Sequence, residues 1–220
     1  MEHDRFCGLL GACVSRETFF QLVGFVQILL KWQEKLNLIS KESIPTLWER
    51  HVVDSAQLLH FLPQEGKIVD LGSGGGFPGI VLSILRNDDV ILLEKDERKA
   101  TFLRHVSRVL SLKTKVICQR IETVDSLHAP LITSRALTSL NHLMAYMQHL
   151  GTDSVQGYFL KGKTTDEEVS EAAQTWIFNV EKFPSRTDQS GVIIKISSLK
   201  QRKGEEDDHH SRGQSKRGGW

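Results

Sequence analysis

Cysteine is scarce in this chain: Cys7, Cys13 and Cys118 are the whole set, with no CxxC spacing among them. An odd, sparse set of this kind points to neither a disulfide framework nor a zinc site, so no metal is expected and a reducing cytoplasm is the default compartment. Long apolar runs are missing too. The most apolar stretch, Phe19 to Leu30, is too short to span a bilayer and is interrupted by Gln21 and Gln27. A secretory leader is not indicated, because Glu2 and Asp4 stand where a leader carries basic groups. Charge of one sign is also lacking: 28 Lys and Arg against 27 Asp and Glu leave a formal net charge of +1. The molecule as a whole is no electrostatic magnet for nucleic acid, and any RNA contact has to use local basic surface.

What is present is enough for a core. Hydrophobic residues make up 40% of 220 residues and charged residues 25%, the balance of one ordinary domain with appendages. Phe19, Leu22, Val23, Val26, Leu29 and Leu30 recur at helical spacing and predict an amphipathic helix over about Thr18 to Leu38. Ser43 to Leu62 reads as a second helix, with Pro45 near its start, where proline is tolerated. The texture changes after Pro63. Strands are expected at Lys67–Leu71, Val90–Leu93, Val116–Cys118, Leu131–Thr133, Tyr158–Leu160, Ile177–Val180 and Val192–Ile196. Helices are expected after Gly79, from an Asp96 cap to about Leu110, at Leu140–Leu150 and at Thr165–Ala173. Strands alternating with helices imply an α/β fold, a mainly parallel sheet covered on both faces, and the closing pair implies an antiparallel edge hairpin. The reading divides the chain into an N-terminal helical segment (1–62), a sheet domain (63–199) and a charged tail (200–220) too poor in apolar residues to fold alone.

The chemistry is concentrated between the first strand and the following helix. There Gly72-Ser73-Gly74-Gly75-Gly76-Phe77-Pro78-Gly79 forms a glycine loop. Such a turn brings backbone N–H groups and a helix N-terminus against a ligand, and glycines supply the close approach. Glu94, ending the next strand, is placed to accept hydrogen bonds from ribose hydroxyls across the crevice. The pattern from Gly74 to Gly79 also satisfies GxGxxG, so a dinucleotide-dependent oxidoreductase remains an alternative. Asp70, before the loop, tilts the choice: a carboxylate aimed at a pyrophosphate is repulsive, whereas it attracts an ammonium and a sulfonium. The favoured cofactor is therefore S-adenosylmethionine, and the favoured fold a Rossmann-like class I methyltransferase. Gly157 to Thr164 matches the phosphate-loop expression GxxxxGK[ST], but its variable positions Tyr158-Phe159-Leu160-Lys161 read as strand, and the match is taken as chance.

Five blocks in order carry a resemblance: Asn37-Leu38-Ile39-Ser40, Arg50-His51-Val52-Val53-Asp54-Ser55, Asp70 to Gly79, Ser134-Arg135-Ala136 and Leu160-Lys161-Gly162. Over roughly Phe19 to Ile196 the chain resembles the bacterial GidB (RsmG) family of small-subunit ribosomal RNA methyltransferases that modify guanine N7. The resemblance implies 16S ribosomal RNA or the small subunit as partner. It also implies that Gly72 and Phe77 contact the cofactor, that Glu94 holds the ribose, that Ile121 and Glu122 lie near the adenine, and that Arg135 stands at the cofactor pocket. A non-catalytic RNA-binding protein of the same fold is the other reading. Guanine N7 carries an in-plane lone pair, so no general base is expected, and catalysis by positioning follows. The residues considered for the reaction centre are His51, Asp54, Arg135 and Lys161, with Lys161 also considered for RNA backbone contact. Seven basic residues between Arg98 and Arg120, with no acid among them, form either a phosphate-binding stripe or a solvated face. A monomer is the default.

Overall fold

The computed structural model describes residues 1–202. A seven-stranded sheet runs in the order β3-β2-β1-β4-β5-β7-β6. Its strands are β1 (Ile68–Leu71), β2 (Val90–Leu93), β3 (Thr114–Ile117), β4 (Ala129–Arg135), β5 (Gly151–Lys161), β6 (Trp176–Pro184) and β7 (Val192–Gln201). Strands β1 to β5 are mutually parallel, while β7 runs antiparallel to β5 and pairs with β6 as the closing hairpin. The helices are α1 (His3–Leu10), α2 (Arg16–Gln33), the single turn α3 (Asp54–Ala56), α4 (Gly79–Arg86), α5 (Glu97–Val109), α6 (Leu140–Leu150) and α7 (Thr165–Thr175).

Period-two alternation divides the sheet residues between two cores. Ile68, Val90, Leu92, Leu131, Tyr158 and Ile193 face one layer, which holds α1, α2, α4 and α5. Val69, Leu71, Ile91, Leu93, Ile132, Phe159 and Ile194 face the other, which holds α6 and α7. Every residue of β1 and β2 is buried, as expected of parallel strands covered on both sides. The chain moves outward from β1 through α4, β2, α5 and β3, then returns to the opposite side of β1 as β4. That reversal opens a crevice at the carboxyl ends of β1 and β4, where ligands of such sheets bind.

The fold corrects several expectations. An additional helix, α1, precedes the sequence-predicted ones, and its Phe6 and Leu10 are fully buried. Ser15 caps α2 by accepting from Thr18 N, so α2 begins before Thr18 and ends at Gln33. Its buried stripe includes Phe25, whereas Leu30 is exposed. Lys41 to His60 is a chain of unlike turns: 3-10 (Lys41–Thr46), π (Trp48–Val53), α3, then 3-10 again (Gln57–His60). Pro45 supplies no N–H, and the wide π turn aims Arg50, His51 and Asp54 together. Strand β7 continues to Gln201, so Lys200 and Gln201 belong to the sheet rather than to a tail. The expected charged tail otherwise lies outside the described residues. The Asp96 cap is observed, its carboxylate accepting from Arg98 N and Lys99 N. Tyr158, Phe159 and Leu160 are paired within β5 on both sides, so Gly157 to Thr164 is not a phosphate loop.

Candidate functional site

Two adjoining cavities open at the crevice. The smaller, of ≈270 Å³, is lined by Gly72, Gly74, Glu94, Ile121, Glu122 and Leu137 among others. Gly72 follows β1 directly and has φ +66°, a conformation that a side chain strains. A Cβ there would lie 2.5 Å from a Leu137 methyl carbon, so the loop and Leu137 are in close contact. Glu94, just past β2, is 7% exposed. Its carboxylate accepts from Gly74 N and from Asp96 N, each at 2.9 Å, which fixes it at the mouth of the glycine loop. Across the cleft, Tyr146 donates its hydroxyl to Glu122 at 2.7 Å, holding the Ile121–Glu122 turn. Ile121 and Leu137 form apolar parts of this cleft, and the fixed Glu94 carboxylate stands on its wall. Gly72, Gly74, Glu94, Ile121 and Glu122 are thus brought together as expected.

Asp70 and Phe77 are not in that cleft. Alternation places Asp70 on the same face of β1 as Ile68, under α4, where it is fully buried. Its carboxylate accepts from Gly79 N at 3.2 Å and from the Thr133 hydroxyl at 3.0 Å. A Cβ on Gly79 would sit 2.7 Å from the Asp70 carboxylate, so glycine is what lets the acid reach the first turn of α4. Burial pushes Asp70 up to about 7, against hydrogen bonds that hold it down. The acid that tilted the reading towards a cationic cofactor is therefore a brace beneath the glycine loop. The Phe77 ring packs between Phe25 and His51, at centroid distances of 5.3 and 5.0 Å, and lines neither cavity.

Arg135, expected at the cofactor pocket, lines the larger cavity instead. That cavity, of ≈890 Å³, also presents Arg50, Asp54, Lys161, Glu168 and Thr187. Arg135 ends β4 and is the hub of a half-buried polar cluster. It donates to His51 Nδ1 at 2.8 Å and to the Arg50 carbonyl at 2.7 Å, and its Nε lies 3.3 Å from Asp54. Asp54 also accepts from the Thr187 hydroxyl and the Gln57 amide, both at 2.7 Å. Burial first, then Arg135 and Arg50, bring His51 down to about 3. Lys161 donates to Glu168 at 2.6 Å and to the Thr138 carbonyl at 2.8 Å, and is 10% exposed. Its charge is consumed within the protein, which weakens the expectation of an RNA backbone contact. Among the basic residues from Arg98 to Arg120, Arg104 is paired with Glu97, Arg120 with Glu122, and Arg98 reaches the Lys35 carbonyl.

Sequence reasoning missed the divider between the cavities. Ala136 and Leu137 line both, and Ala136 has φ +51°, uncommon for a residue with a Cβ. Ala136 lies within a quoted block, but nothing in the sequence marks Leu137. Tyr146 and Thr187 were missed as well, because an apolar helix and a polar turn carry no motif.

The family model described as "rRNA small subunit methyltransferase G" matches residues 19–191. The "Ribosomal RNA small subunit methyltransferase G" of Gluconobacter oxydans is 43% identical over 187 residues, covering 85% of this chain and 97% of the relative. The protein of that name from Rhodospirillum centenum is 41% identical, covering 84% and 87%. Among solved structures, a SAM-dependent methyltransferase from Aquifex aeolicus superposes with TM-score 0.54 at 12% identity, covering 72% of this chain and 95% of that one. M. jannaschii TYW2 in complex with AdoMet gives 0.52 at 12% identity, covering 75% and 78%. At those identities the structures speak to the fold alone, which is the Rossmann-like methyltransferase sheet. The matched span takes in the glycine loop, Glu94, the Arg50–Asp54 turn and Arg135, and the chain belongs to the GidB family, rRNA small subunit methyltransferase G.

Proposed function

We propose that this chain transfers a methyl group from S-adenosylmethionine to N7 of a guanine in 16S ribosomal RNA of the small subunit. The observation that carries the reading is the pair of cavities meeting at Ala136 and Leu137. One is a nucleoside-shaped slot with a fixed carboxylate; the other is a larger polar chamber able to receive a base. Bound in the slot, S-adenosylmethionine supplies the electrophilic methyl.

The chain's own residues position and enclose. Gly72 and Gly74 let the loop approach the cofactor, Glu94 accepts its ribose hydroxyls, and Ile121 and Glu122 border its adenine. Arg135, Asp54 and Arg50 shape the wall of the guanine chamber, and the buried His51 fixes Arg135 from behind. N7 loses no proton on methylation, so the step asks for alignment in a water-poor site rather than for a base. Residues 63–199 carry this site, and the segment 1–62 lends it the Arg50–Asp54 turn. Among the described residues, no helix is long and apolar enough to cross a membrane. We place the enzyme in the cytoplasm, acting as a monomer.

The test is incubation with labelled S-adenosylmethionine and small subunits from a strain lacking this gene. Label in 16S RNA, mapped to guanine N7, supports the proposal. Cofactor binding without label would make the chain a non-catalytic RNA binder. Calorimetric binding of NAD but not of S-adenosylhomocysteine would revive the oxidoreductase. Naked RNA, assembling particles and finished subunits in parallel identify the substrate form.

A further inference from the structure

The cysteines carry no metal-binding spacing, yet the fold brings two of them onto one histidine. Among the described residues, His3, Cys7 and Cys13 are the group whose potential ligand atoms all lie within 4.8 Å of one another. Cys7 Sγ is 3.7 Å from His3 Nε2 and 3.9 Å from Cys13 Sγ. Tetrahedral zinc, with its usual bonds to sulfur and nitrogen, holds such ligand pairs about 3.5–3.8 Å apart. Two of the three pairs already stand near that spacing, and the third lies within 4.8 Å. One turn of α1 puts His3 and Cys7 on a common face, and the α1–α2 turn carries Cys13 back to them.

A second feature points the same way. The other imidazole nitrogen, Nδ1, is 2.9 Å from the Asp4 carboxylate. A carboxylate behind a ligating histidine is the usual outer partner of zinc, fixing the ring and raising its basicity. Without metal, Nε2 lies 2.9 Å from the Val14 carbonyl, so both ring nitrogens face acceptors. An ion at Nε2 takes the place of that hydrogen bond, and the Val14 carbonyl must swing aside to admit it.

We propose that His3, Cys7 and Cys13 form a binding site for a thiophilic divalent cation, zinc above all, with the fourth position open to solvent beside the exposed Cys13. Binding forms one metal–nitrogen and two metal–sulfur bonds and releases the two thiol protons, plus the Nε2 proton where the ring is charged. The site precedes the residues shared with the family, 19–191, so it is an attribute of this chain's N-terminal segment. It also has something to hold. The His3 ring sits edge-on against Phe19, Phe19 stacks on Trp48, and Arg5 pairs with Glu49. The clip would thereby anchor α1 to the turn that carries Arg50, His51 and Asp54. A Cys7–Cys13 disulfide, the competing product of two sulfurs so close, leaves the histidine and its carboxylate without a part.

The full-length chain, kept reduced and stripped with chelator, is titrated with cobalt(II) and then zinc(II). Expected are one equivalent bound, a thiolate-to-cobalt charge-transfer band in the near ultraviolet, its loss on adding zinc, and tighter binding as pH rises. Cys7→Ser and Cys13→Ser abolish the band, with Cys118→Ser as an unaffected control. Asp4→Asn keeps the band and weakens affinity about 10–100-fold. Cys13 is exposed, so Cys13→Ser should leave the circular dichroism spectrum unchanged and separate lost ligation from lost fold. No stoichiometric uptake by the reduced chain, or a band surviving in either serine variant, would overturn the site.

Discussion

Arg135 donates to His51 Nδ1 at 2.8 Å, and this contact decides the protonation state of the histidine. A guanidinium has only donors, so Nδ1 must accept, and the ring's proton sits on Nε2, 2.8 Å from the Ser43 hydroxyl. The Ser43 hydroxyl in turn donates to the Ser40 carbonyl at 2.8 Å, completing a one-way chain of donors. His51 is thereby neutral, with both ring nitrogens engaged inside the protein.

A histidine so placed cannot serve as a general base. With His51 brought down to about 3, methyl transfer under single-turnover conditions is expected to show no inflection between about pH 6 and 8.5. A limb in that range that disappears in His51→Gln would show that the histidine titrates in the reaction. Protein stability should respond to the same group at lower pH. The unfolded imidazole takes up a proton below its ordinary 6.5 while the folded one does not, so stability falls as pH drops from about 6.5 towards 3.

Arg135→Lys tests the hub. A lysine retains the charge but not the fork that reaches His51, the Arg50 carbonyl and Asp54 together. Label incorporation should fall at least about tenfold while S-adenosylhomocysteine affinity stays near wild type, since Arg135 lines the larger cavity and not the smaller one proposed for the cofactor. Arg135→Ala additionally leaves Asp54 short of its cation and should cost about 3 kcal/mol in urea denaturation. A cofactor affinity that falls with activity would return Arg135 to the cofactor pocket.

Asp70→Ala should destabilise through orphaned partners rather than lost cofactor charge. The Gly79 N–H and the Thr133 hydroxyl lose their acceptor in a buried place, at about 1–3 kcal/mol per group. Asp70→Asn gives the pH signature. With a folded value of about 7 against 3.8 unfolded, the carboxyl's contribution to stability is fully present below 3.8 and is lost as pH rises through 7. The wild-type advantage over Asp70→Asn should shrink across that window in denaturation series. A constant difference would mean that the carboxyl does not titrate there.

Glu94→Ala removes both the proposed ribose acceptor and the anchor of Gly74 N and Asp96 N. Hydrogen bonds to a charged group are worth about 1.5–3 kcal/mol, so calorimetric affinity for S-adenosylhomocysteine should fall by roughly 10–150-fold. Unchanged affinity would place the ribose elsewhere.

Residue patterns alone determined the sheet. Apolar runs at strand length, glycine punctuation and the Leu140–Leu150 periodicity are local properties, and they mark a mainly parallel sheet with an edge hairpin, though not its strand order. The same holds for Glu94 and the glycine loop, because a strand end, a turn and a following strand lie close in sequence. Tertiary structure decided what each acid and base faces. Asp70 is one residue from the loop, yet the pleat turns it under α4. Arg135, His51 and Asp54 meet only because β4 returns beside β1 and the π turn leans over it. Leu137 became a partition by landing on Gly72. Cys7 and Cys13, six residues apart without a motif, converge on His3 because α1 ends at its Gly11 cap and the chain folds back. Local patterns fix which segments form; the direction of a side chain depends on what packs against it from far along the chain.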